Sequence, residues 1–156
     1  METNEKLAEV LNDLVEINND RMTGYERAAK ETKDIDVDLQ GIFYKMADES
    51  RKCKAELTNE LIRLGAKPAE GTSGLGKLHR AWMDVKATFS GHDRQSALNS
   101  CEFGEDAAQK AYRDALASDA EMNADTRQII TSQQASLKTS HDTIKKLRDA
   151  HRAVNA

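Results

Sequence analysis

Residues 65–92 read GAKPAEGTSGLGKLHRAWMDVKATFSGH. These 28 residues separate two long amphipathic segments, where a tight helix–helix turn needs only a few. Gly65 offers the left-handed residue that ends a helix, and Pro68 blocks its resumption. After a glycine-rich run, Leu75, Leu78, Trp82, Val85 and Phe89 recur at helical spacing, which predicts an extra short helix closed by Gly91. A helix of about 26 residues spans about 39 Å. A connector of this length carries the chain back over that distance, so the helices on either side of it run parallel.

Outward from this connector lie four long stripes. The first begins near Thr3 or Asn4 and runs Leu7, Leu11, Leu14, Asn18, Met22, Tyr25, Ala29. Asp34, Asp36 and Asp38 then offer caps for a second helix, whose inner row is Leu39, Phe43, Met46, Glu49, Cys53, Leu57, Leu61, Leu64. Beyond the connector Asp93 can cap a third, with Leu98, Cys101, Glu102, Glu105, Ala108, Tyr112, Ala115 and Leu116 inward. The stretch SDAEMNAD (118–125) breaks the pattern before a fourth row of Ile130, Gln133, Leu137, Ser140, Ile144, Leu147 and His151. Each row steps by threes and fours, the spacing of one buried helical face. Four such faces bury themselves only against one another. The expected fold is all-α: one domain over residues 1–156, an up-down-down-up four-helix bundle with a short helix in the second-to-third crossover.

Composition agrees. Charged residues make up 32% of the chain, aromatics 4%, and there is a single proline, so long helices are favoured over a sandwich or barrel. A net charge of −4 with both signs interspersed argues against nucleic acid as a partner. No apolar run reaches the ~18 residues of a membrane span, and the N-terminus lacks the shape of a secretory signal. Cys53 and Cys101 form neither a metal-type spacing nor a disulfide framework. The expectation is a cytoplasmic, bacterial-type globular protein.

Each row admits one polar residue near mid-length: Asn18, Glu49, Glu102 and Gln133. With hairpins in register these four face one another. The pattern resembles the ferritin-like superfamily, in which a carboxylate core binds two iron or manganese ions. The stretches LNDLVEINNDRMTGYE (11–26), RLGAKP (63–68), HRAWMDVKATFSG (79–91) and NSCEFGED (99–106) are similar to an uncharacterised bacterial family of ferritin-like four-helix bundles. That resemblance spans nearly the whole chain and implies a fold rather than an activity. It also implies self-association into homo-oligomers through bundle faces.

Set against the di-metal pattern of four Glu and two His, the chain departs widely. Asn18 stands for the first Glu, and Lys52 for the His three residues after Glu49. Gln133 and Ser136 replace the last Glu and His. Two of six ligands remain, and a protonated ammonium cannot ligate. Two readings follow for the inward carboxylates. In one, Lys52 neutralises Glu49 or Glu102, with Asn18, Tyr25 and Gln133 as hydrogen-bond partners in a register-setting polar plug. In the other, Glu49, Glu102 and Glu105 form a reduced site for iron or manganese. The first is preferred: a non-enzymatic, structural or interaction protein with a degenerate metal site and no cofactor. An enzyme using Glu102 as base beside Lys52 is a third class.

Other signals read as bland. GTSGLGK (71–77) fits G-x-x-x-x-G-K, but Leu78 follows where a phosphate loop needs a hydroxyl, and a helix precedes it instead of a strand. The two inner-face thiols read as small apolar fillers. Trp82 and Phe89 read as cover for the bundle's side, and KKLRDAHR (145–152) as a solvated helix end.

Overall fold

The structure, a computed structural model, describes the backbone of residues 2–32, 37–68 and 94–155. Within these residues it is all-α, without a strand: α1 (Glu2–Thr32), α2 (Val37–Arg63), α3 (Arg94–Ala117) and α4 (Ala124–Asn155). The expected crossover helix with Trp82 and Phe89, the glycine run, His79, His92 and the caps Asp34, Asp36 and Asp93 lie outside the described residues. No helix among the described residues is long and apolar enough to cross a membrane.

The helix ends have local causes. α1 starts at Glu2, ahead of Thr3 and Asn4, the residues expected to cap it. Gly65 adopts φ 74° just past α2. Its amide donates to the carbonyl of Ile62 and that of Ala66 to Leu61, both at 2.9 Å. This pair of bonds satisfies carbonyls that the last turn would leave bare. At the start of α4 the Asn123 side-chain oxygen accepts the amide of Thr126 at 2.8 Å, an N-cap.

Two apolar clusters fix the course of the chain. One joins Tyr25, Ala28 and Ala29 late in α1 to Leu39 and Phe43 early in α2. It also takes in Ala97 and Leu98 early in α3 and Ile144 late in α4. The other gathers the opposite ends, from Leu7 and Leu11 through Leu57 and Leu61 to Tyr112, Ala115 and Ile130. Hence α1 and α4 run one way while α2 and α3 run the other. The two clusters are separated by polar side chains at mid-length, which is where the unusual chemistry lies.

Candidate functional site: a guanidinium-centred polar core

Arg21 is the centre of this region, and its side chain is wholly buried. Its Nε donates to Glu105 Oε1 at 2.6 Å. Nη1 donates to the Met46 carbonyl at 3.1 Å and to Ser50 Oγ at 2.8 Å. Nη2 lies 2.9 Å from Glu49 Oε1, a charge contact in which no N–H is aligned on the oxygen. The guanidinium also stands 5.1 Å from the Tyr25 ring centroid, within cation–π range. Burial works against its charge, but Glu105, with Tyr25 and Glu49, outweighs burial and holds the Arg21 pKa above the usual arginine range.

The two carboxylates differ. Glu105 is fully buried; its Oε1 also accepts from Tyr25 OH at 2.7 Å, while Oε2 has no hydrogen-bond partner among the described residues. Glu49 sits at the border of α2's inner face, its side chain 21% exposed. Across the gap from α4, Ser136 Oγ donates to Glu49 Oε2 at 2.6 Å and Ser140 Oγ to Oε1 at 2.8 Å. An open cleft between α2 and α4 reaches Glu49, with Gln133, Ser136 and Ser140 on its α4 wall.

A neutral relay occupies the next level. Asn18 Nδ2 donates to Tyr112 OH at 2.9 Å, and Tyr112 OH donates to Gln133 Oε1 at 2.7 Å. Gln133 Nε2 in turn reaches the Cys53 carbonyl and Glu56, each at 3.2 Å. Burial raises the pKa of both phenols, Tyr25 and Tyr112, so they stay neutral donors. The thiols are inert for the same reason: burial pushes Cys53 up to about 12 and Cys101 well above the usual range, and both are free.

The structure therefore redistributes the residues expected in one polar layer. Asn18 and Gln133 meet through Tyr112, while Tyr25 joins Glu105 and Arg21 one level away. Lys52 is a correction. It is exposed and lines the cleft instead of neutralising a carboxylate inside. The centre of α2's buried row passes through Met46, Ser50, Cys53 and Leu57, which leaves Glu49 on the flank and Lys52 further out. Glu102 is displaced likewise. The buried row of α3 runs Leu98, Cys101, Glu105, Ala108, Tyr112, so Glu102 falls on the flank toward α4 and pairs there with Arg148. Glu49, Glu102 and Glu105 thus do not converge on one point.

Arg21 itself was not singled out by pattern. Met22 carries the apolar stripe there, and at 3.6 residues per turn either of two neighbours can face inward. The available signal was charge balance: inward carboxylates require a cation, and Arg21 falls between Asn18 and Tyr25 on the same face.

A second polar cluster bridges α3 and α4 nearer the surface. One oxygen each of Glu102 and Asp106 and a ring nitrogen of His141 lie within 4.8 Å of one another. His141 Nε2 faces Asp106 Oδ1 at 2.5 Å, and Nδ1 faces Asp142 Oδ1 at 3.1 Å. Partial burial disfavours its charged form, yet Asp142 and Asp106 prevail and the His141 pKa lies above its ordinary value.

No curated protein matches the chain. A family profile does, over residues 6–118, which take in Arg21, Glu49 and Glu105 but not α4. The chain with this arginine-centred core belongs to the family described as the domain of unknown function DUF2383.

Proposed function

We propose that this protein is a non-enzymatic, ferritin-like bundle of up-down-down-up course, a structural or interaction protein in which a guanidinium stands where related cores hold metal. The observation that carries this reading is Arg21, fully buried and within 2.9 Å of carboxylates from two other helices. Iron or manganese does not fit among these residues. A unit cation about 4 Å from the guanidinium is opposed by roughly 4 kcal/mol at an effective dielectric near 20, and a dication by twice that. Serine hydroxyls from α4 complete Glu49, where a ligand set would need further carboxylate or imidazole groups.

Metal analysis of protein purified without chelator tests this. Any iron or manganese content is expected to be the same in the parent, Glu49→Gln and Glu105→Gln, with helicity checked by circular dichroism. Stoichiometric metal that disappears in either variant defeats the reading.

The interaction side of the proposal rests on α2. Val37, Tyr44 and Ile62 are 73%, 43% and 61% exposed and recur at helical spacing on its outer face. A second copy of the chain is the proposed occupant, as the resemblance implies. The parent is expected to sediment as an oligomer and Tyr44→Asp/Ile62→Asp as a monomer. A parent that stays monomeric at high micromolar concentration removes this part.

A further inference from the structure

The ligand atoms of Glu102, Asp106 and His141 form a cluster between α3 and α4 that shares no residue with the Arg21 core, although His141 still feels the charge of Glu105. Glu102 and Asp106 are four residues apart on α3 and so share a face; His141 reaches them from α4. We propose that these three residues form a binding site for a borderline divalent transition cation of the zinc class, which ties α3 to α4.

Three features of the site point to that ligand. The donor set is one imidazole nitrogen and two carboxylate oxygens, which suits zinc and leaves a fourth position for water. Two carboxylates balance a dication when the imidazole is neutral and Arg148 has turned from Glu102 to Asp149. The imidazole is also pre-oriented. Asp142 holds Nδ1 from outside the ligand set, which turns Nε2 toward Asp106, the carboxylate–histidine–metal arrangement that fixes tautomer and ring direction.

Zinc bonds of ~2.0–2.2 Å separate tetrahedral ligand atoms by about 3.4 Å. Binding therefore spreads the short His141–Asp106 contact and turns Glu102 from Arg148 toward the metal. Both movements are open to side chains, because Asp106 is 61% exposed and Arg148, the present partner of Glu102 Oε2, has a second partner in Asp149 at 2.8 Å. Arg148 and the metal compete for Glu102. This gives the proposal a signature that a purely structural cluster lacks.

The test is calorimetric titration of the full, chelator-stripped chain with Zn²⁺, read with melting curves. The parent is expected to bind one equivalent and to melt at a higher temperature when saturated. Asp106→Asn and His141→Gln should each weaken binding by at least about tenfold. Asp142→Asn, which acts only through His141, should weaken it by roughly 10–100-fold. Arg148→Gln should bind more tightly than the parent, and a gain of affinity cannot arise from misfolding. Glu49→Gln should match the parent, which separates this site from the interior one. No uptake of zinc by the parent, uptake unaffected by Asp106→Asn and His141→Gln, or weaker binding by Arg148→Gln overturns the proposal.

Discussion

Replacing Arg21 with Met is expected to destabilise the protein by about 3–5 kcal/mol, seen as a lower urea midpoint at unchanged slope. The substitution keeps much of the volume but strips the buried Glu105 of its cation. It also removes the donor to the Met46 carbonyl and to Ser50 Oγ. Glu105 would keep only the Tyr25 hydroxyl. A carboxylate left charged and unpaired in an apolar interior must be neutralised or hydrated, and the folded state bears that cost. The companion variant Arg21→Met/Glu105→Leu should recover most of the loss, since removing both partners of a buried pair is commonly neutral or better. Glu49 does not spoil the rescue, because the α2–α4 cleft gives it water and two serine donors. A single variant that loses less than about 1 kcal/mol, or a double variant no better than the single, would show that Arg21 is not what balances this core.

Phe43→Ala carries the second large effect, about 3–5 kcal/mol. Phe43 is fully buried, its ring centroid 5.7 Å from that of Tyr25 at an interplanar angle of 31°. Part of the cost is lost burial and a residual cavity in the cluster shared by all four helices. The rest is positional. Phe43 is one wall against which Tyr25 is held, and Tyr25 aims its hydroxyl at Glu105. Phe43→Leu, which keeps most of the volume, should cost less than about 1.5 kcal/mol. Equal losses in the two variants would mean that the lost ring contact, and not the residual cavity, sets the cost.

The Arg21 result also bears on function. A di-metal core gains its charge balance from outside the chain and loses it to a chelator. Here the cation is covalently part of α1, so the stability of the core is expected to be independent of metal supply. Any metal dependence should trace instead to the α3–α4 cluster, where side chains are partly exposed and Arg148 can move away.

How much of this was legible varies by residue. The rows through Leu11, Leu57, Leu98 and Ile130 carry the helical period, and all four are fully buried. Gly65 and Pro68 mark the end of α2, and the glycine takes the left-handed conformation there. The polar core was only half legible. That carboxylates point inward follows from their place in an apolar row, but a pattern of threes and fours has an angular tolerance of tens of degrees. Glu49, Glu102, Lys52 and Glu105 all lie within reach of that tolerance, and the sequence alone could not rank them.

Period, breakers and composition determined by themselves the four long helices of the described residues, the stop of α2 at Gly65, and that the middle of the helices holds charge. Only the packing of helix against helix decided which charges meet. Burial is a property of the whole assembled interior. It placed Glu105 at the centre, Glu49 and Glu102 on flanks, Lys52 in the cleft, and Arg21 where one guanidinium fork reaches two neighbouring helices at once.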